Sequence, residues 1–133
     1  MNLSFSTNRW NDFRIGDFFD LARQYKFGGI EIHSVDEIID ENVSDIYHKL
    51  LEYNLTISCI DLVTDVSADA ESAKAEFAKC VDVCTKLRVP FVRMKASSED
   101  VAAFLDYALP IAEANKIVIL VETVGAYADT SRL

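Results

Sequence analysis

A short apolar run followed by an amphipathic stretch recurs four times along this chain, and a fifth run, Ile117 to Val121, leads into Glu122. Strands separated by helix-length segments cannot form hairpins, so the alternation predicts an α/β fold with a parallel sheet and crossover helices. The right-handed crossover rule then gathers every strand's carboxyl end on one side. Those ends carry Thr7 and Asn8, Glu31 and His33, Asp61, Arg93 and Lys95, and Glu122. In closed barrels and open parallel sheets alike, ligands bind on that side.

Leu3 to Thr7 reads as the first strand, and Ile15, Phe18, Phe19, Ala22 and Tyr25 recur at three and four spacings as one face of a helix that Gly28 and Gly29 should stop. Ile30 to His33 is the second strand. Val43, Ile46, Tyr47, Leu50 and Leu51 mark the second helix with Asn54 as its terminator, and Thr56 to Leu62 is the third strand, with Asp61 near its end. Ala70, Ala73, Phe77, Cys80, Val81, Cys84 and Leu87 trace a third helix. Past Pro90, Phe91 to Lys95 alternates as a fourth strand with Arg93 and Lys95 on one face. Ser97 and Asp100 have the spacing of a capping box before a fourth helix built on Val101, Phe104, Leu105, Ala108 and Ala112. Pro110 should kink that helix or break it. Five apolar residues in a row, Ile117 to Val121, suit a strand buried on both faces.

With 22 acidic against 13 basic residues, the formal charge of -9 argues against a nucleic-acid partner, whose phosphates call for a basic surface. No apolar run approaches the roughly 20 residues that span a bilayer, and no leader-like segment opens the sequence, so no membrane partner and a cytoplasmic location are expected. Cys80 and Cys84 lie four apart on one helical face, but no histidine or further cysteine stands nearby to complete a zinc site. They are expected, with Cys59, as buried thiols. Glycine-rich phosphate loops and the nucleophile elbow are absent. Short linkers without low-complexity tracts indicate one domain over residues 1–133.

Three phrases, Gly28-Gly29-Ile30-Glu31-Ile32-His33, Thr56-Ile57-Ser58-Cys59-Ile60-Asp61-Leu62 and Ile117-Val118-Ile119-Leu120-Val121-Glu122-Thr123, come in an order and spacing that resembles the xylose-isomerase-like barrels. That superfamily includes sugar isomerases and epimerases and the apurinic endonucleases. The resemblance implies a partial TIM barrel, (β/α) in repeat, with about five strands and four helices, its amino-terminal portion only. A flavodoxin-like doubly wound sheet is the alternative, and strand order decides between them. By the same resemblance Glu122 is a metal ligand, Glu31 and His33 line the pocket, and Lys95 joins them as a catalytic candidate. The remaining ligands would come from strands six to eight. The complete barrel would hold a divalent metal (Mn, Mg, Co or Zn), bound weakly or not at all by this chain, because a hard cation wants about six oxygen-rich ligands. The implied function is a metal-dependent sugar or sugar-phosphate isomerase or epimerase of which this chain is an incomplete catalytic unit, with a small sugar or sugar phosphate as substrate. A non-enzymatic, self-associating half-barrel is the alternative, and an apurinic endonuclease a lesser one. Open first and fifth strands predict a homo-oligomer joined through sheet edges.

Each candidate also has a plainer reading. Glu122 is a solvated acid ending an apolar strand; Glu31 is a pocket acid or the partner of Arg93 or Lys95; Arg93 and Lys95 bind a hydroxyl, phosphate or carboxylate, or balance Glu31 and Glu122 inside the barrel. Asp61 orients a ligand or begins a loop. Trp10 with Phe13 forms an apolar wall over a sugar ring or belongs to the core, and His48, inside a helix, carries no chemistry. Eleven residues follow Glu122, among them Gly125, Asp129 and Arg132.

Overall fold

Five parallel strands lie in one sheet in chain order: β1 (Ser4–Ser6), β2 (Gly29–Ile32), β3 (Thr56–Asp65), β4 (Phe91–Ala96) and β5 (Val118–Thr123). Between them run α1 (Ile15–Gln24), α2 (Val43–Glu52), α3 (Ala70–Leu87) and α4 (Val101–Ala114). This computed structural model describes residues 3–8, 10, 12–38 and 42–124. Arg9, Asn11, Gly125, Asp129 and Arg132 lie outside the described residues. A doubly wound sheet would insert β1 between β2 and β3, so the observed order excludes it. Helix α3 packs against α2 on one side and α4 on the other, which makes a helical layer in chain order and an arc of a TIM barrel.

The buried layer lies between sheet and helices. Ile30 and Ile32 of β2 and Val92, Met94 and Ala96 of β4 are buried and alternate with residues of the opposite face as a pleated strand requires, while in β3 the buried Ile57, Ile60 and Leu62 change step once, where the β2–β3 register shifts. Against them the helices set Phe18, Phe19, Ala22, Ile46, Leu50, Ala73, Phe77, Phe104, Ala108 and Ala112, the apolar stripes that three- and four-residue spacing marked. Cys59, Cys80 and Cys84 are buried as well, and burial pushes the Cys84 thiol up to about 12 and the Cys80 thiol higher still.

Helices α1 to α4 all end in the same joint. Lys26, Asn54, Arg88 and Lys116 take left-handed backbone, with φ of 59°, 52°, 59° and 57°. The next residue, Phe27, Leu55, Val89 or Ile117, donates its N–H back to Ala22, Leu50, Cys84 or Ala112 at 2.9–3.0 Å. This is a Schellman closure in which an apolar residue folds back over the last turn and leads into the next strand. Asn54 therefore terminates α2 as expected, whereas the stop of α1 falls at Lys26 rather than at Gly28 and Gly29.

Gly29 instead opens β2, where a Cβ would lie 2.8 Å from the Ser4 Oγ. That hydroxyl is engaged with Ser58 Oγ at 2.7 Å. Gly29→Ala is expected to cost about 1 kcal/mol by displacing this hydrogen bond, and Ser4→Ala in the same chain should remove most of the penalty. Urea denaturation of the single and double variants checks it; equal losses in both would show that the crowding lies elsewhere.

Three further expectations change. No Ser97–Asp100 capping box forms: Ser97 N–H is held by Ser67 Oγ at 3.0 Å, and Ser98 Oγ accepts the Asp100 N–H at 3.3 Å. Helix α4 runs unbroken through Pro110, because its buried stripe of Val101, Phe104, Ala108 and Ala112 continues across an exposed proline. Strand β5 is not buried on both faces: Val118 is 52%, Leu120 41% and Val121 41% exposed, while Ile119 packs part-buried against the core, and among the described residues no helix follows the strand to cover it.

Candidate functional site

Strand β3 outruns its expected end by three residues, and its register with β4 slips between Asp61 and Asp65. Asp61 pairs in register with Arg93, whereas Asp65 pairs with Lys95, so β3 carries two extra residues over that span. The Glu76 carboxylate of α3 takes up the amides this leaves, accepting from Val63 N–H at 2.5 Å and Thr64 N–H at 3.2 Å. Bulges of this kind re-aim side chains beside sites. Before this slip, a shift in the β2–β3 register pairs Ile30 with Ile57 but Glu31 with Cys59, so that Asp61, two residues on, lies buried on the face that carries Glu31.

On that face Arg93 Nη2 donates to Asp61 Oδ2 at 2.9 Å and to Glu31 Oε2 at 3.2 Å. The hydrogen bond to Asp61, with attraction from both carboxylates, raises the guanidinium above its already high range and makes it a permanent cation. Neighbouring Cys59 is pushed up to about 12, first by burial and then by Asp61, so it stands as a protonated thiol rather than a nucleophile. Of the readings open for Arg93, interior charge balance holds, with Asp61 and Glu31 as partners and not Glu122.

His33 follows β2 at its carboxyl end. Its backbone N–H donates to Thr7 Oγ1 at 2.9 Å, and Thr7 Oγ1 donates to Glu37 Oε1 at 3.1 Å. Burial raises the Glu37 carboxyl, partly offset by its hydrogen bonds with Thr7 and with the Ser34 N–H. The His33 ring sets Nδ1 3.8 Å from Asp61 Oδ2. Thus Glu31 of β2 and His33 at its end join Asp61 and Arg93, from within β3 and β4, in one cluster. Lys95 and Glu122 form a separate pair, opposite each other in the β4–β5 register one step nearer the carboxyl end, and neither side chain makes a hydrogen bond or ion pair with a described residue. Trp10 and Phe13 meet edge-on at 5.1 Å and cover Phe18 while remaining well exposed. His48 is exposed on α2.

A second network seals the rim between β3 and β4. Asp65 Oδ1 accepts from Ser67 N–H at 2.9 Å and Ser67 Oγ at 2.6 Å, and Ser67 Oγ accepts the N–H groups of Ser97 and Ser98 at 3.0 and 3.2 Å. Burial would raise the Asp65 carboxyl, but the serine hydroxyls and amides outweigh it and hold the group at about 2, below the ordinary 3.8. A folded value below the unfolded one stabilises above the unfolded value and is lost as pH falls through the folded value. The stability advantage of wild type over Asp65→Asn should therefore be full above about pH 4 and shrink toward pH 2. Urea midpoints across that range check it, and a gap unchanged at pH 2 would remove the network from the account.

Among the described residues no three His, Cys, Asp or Glu side chains are arranged to hold a metal ion. The reason is visible in the cluster: Asp61 and Glu31 are committed to Arg93, and the strand carrying Arg93 separates them from Glu122. Glu122 is one uncommitted carboxylate, so the residues described do not by themselves fit a divalent cation. Among the described residues no helix is long and apolar enough to cross a membrane.

No family model matches the chain, and no curated protein matches it in sequence. Solved structures match its fold. The IOLI protein, solved with a zinc atom bound, superposes with a TM-score of 0.81 at 16% identity over 94% of this chain and 52% of its own. A xylose isomerase domain containing protein from Salmonella typhimurium LT2 gives 0.77 at 16% identity, over 92% and 49% of the two chains. A sugar phosphate isomerase/epimerase from Parabacteroides distasonis gives 0.67 at 17% identity, over 92% and 51%. This chain spans about half the length of the solved structures it matches. Its fold is that of a partial TIM barrel, shared with these structures.

Proposed function

We propose that this half-barrel supplies the first five strands of an enzyme that isomerises or epimerises a small sugar or sugar phosphate. The observation that carries the proposal is the clustering of Glu31, His33, Asp61 and Arg93 on one face of the sheet, in a fold shared with proteins of that description. Moving a proton between adjacent carbons requires a base within reach and a fixed positive charge where oxygen becomes anionic. His33 and Glu31 are the proton-handling candidates. Lys95, without a partner among the described residues, is the cation that can meet a hydroxyl, carbonyl or phosphate. Glu122 offers one carboxylate toward a divalent ion such as the zinc of the IOLI structure, with the other donors supplied from outside the described residues.

The test has two arms: isothermal titration with manganese, and assay of aldoses, ketoses and their phosphates with manganese present. Interconversion that fails in His33→Asn and Lys95→Met supports the proposal. Both arms use the complete barrel that contains this half, and no interconversion and no manganese binding there in the millimolar range would defeat the proposal and leave the fold assignment standing.

A second reading rests on β5, whose exposed Val118, Leu120 and Val121 present an apolar open edge. On this reading two copies associate through their sheet edges without catalysis. Light scattering should then report a dimer that Leu120→Lys reduces to a monomer, and a monomeric wild type would reject it.

A further inference from the structure

His33 presents an unusual ring. Its Nδ1 is buried and makes no hydrogen bond, the one buried side-chain N or O among the described residues left so. Nε2 is not buried in this way, and the side chain as a whole is 29% exposed. The acceptor facing Nδ1 is Asp61 Oδ2 at 3.8 Å, too long for a formed hydrogen bond and close enough for strong electrostatic preference. The same oxygen receives Arg93 Nη2 at 2.9 Å. From β1, Thr7 Oγ1 pins the His33 backbone.

A neutral imidazole carries its proton on one nitrogen or the other, and the neighbours decide which. A bare Nδ1 lone pair buried opposite a carboxylate oxygen is repelled, whereas an N–H there is attracted. We infer that Asp61 is a positioning residue for His33: it holds the ring in the Nδ1–H tautomer and leaves the Nε2 lone pair to face substrate. This rests on the role of His33 proposed above and adds to it a partner and a direction of proton transfer. Nε2 takes a hydroxyl proton from substrate, Nδ1–H stays against Asp61, and the imidazolium so formed is stabilised by that carboxylate. Arg93 limits this stabilisation by sharing Asp61, Glu31 is held by Arg93, and Glu37 is a second carboxylate that interacts electrostatically with His33.

The chain has two histidines, so long-range proton–nitrogen correlation spectra resolve both without ambiguity once His48→Gln assigns them. Spectra are recorded at alkaline pH, because the two tautomer patterns belong to neutral imidazole. Wild-type His33 is expected to show the Nδ1–H pattern and the exposed His48 the Nε2–H pattern common in water. Asp61→Ala should switch His33 to Nε2–H, whereas Asp61→Asn, whose amide oxygen still accepts, should retain Nδ1–H. An Nε2–H ring at His33 in the wild-type protein overturns the inference even if Asp61→Ala fails to fold. Because no turnover is measured, an inactive chain with an Nδ1–H His33 separates failure of the proposed reaction from failure of this inference.

Discussion

Replacing Arg93 with methionine is expected to lower the free energy of unfolding by about 3 kcal/mol. The substitution keeps an unbranched side chain of similar reach and removes the charge shared by two carboxylates. Asp61, whose side chain is 7% exposed, would be left as a buried anion with Glu31 beside it, and removing one partner of a buried pair costs far more than the pair contributes. Arg93 is itself 31% exposed, so water screens part of the interaction and places the loss at the lower end of the usual range. The double variant Arg93→Met with Asp61→Leu should recover most of the stability, since a packed apolar pair in place of a buried ion pair is often neutral. Urea denaturation of the wild type, both single variants and the double variant measures the coupling. A double variant no more stable than Arg93→Met alone would mean that the charge pair is not the cause.

Phe77→Ala should cost about 4 kcal/mol. Phe77 is 0% exposed and stands where α3 meets α4, edge-on to Phe104 at 5.9 Å and to Tyr107 at 6.4 Å. Truncation removes the ring's own burial and leaves a cavity that two neighbouring aromatic rings and a rigid sheet can only partly fill. A loss of this size is a large share of the roughly 5–15 kcal/mol by which whole domains are stable. Phe77→Leu, which keeps most of the volume, should lose less than about half as much. Thermal and urea unfolding would both report the difference, and a Phe77→Ala loss below about 2 kcal/mol would show that α3 and α4 repack freely.

The helices were legible because Phe18 with Ala22, Ile46 with Leu50, and Ala73, Phe77 and Cys80 with Cys84 repeat at the period of one buried face, and burial follows that repeat. The parallel order was legible because each strand is followed by a helix long enough to cross over. Asp61 was harder to place. Nothing local announces that β3 carries two extra residues before Asp65, so a buried strand residue reads as the start of a loop. The choice of Asp61 over Glu122 as the partner of Arg93 lies 32 positions away in sequence and depends on that register. Glu37 went unremarked, although Ser34 and Glu37 have the three-residue spacing of a capping box and form one around the short 3-10 turn Val35–Glu37. Gly28 and Gly29 misled because glycine is the usual left-handed residue, while three of the four joints here place Lys or Arg in that conformation.

Those four joints also say how the chain turns from each helix into the next strand. Each is closed by hydrogen bonds belonging wholly to one helix and the residue entering the next strand, so no joint waits on the far side of the ring. The turn from helix to strand is thus a local property, repeated unit by unit. A gene encoding such a chain can grow or shrink by whole modules, each new segment arriving with its hinge already made.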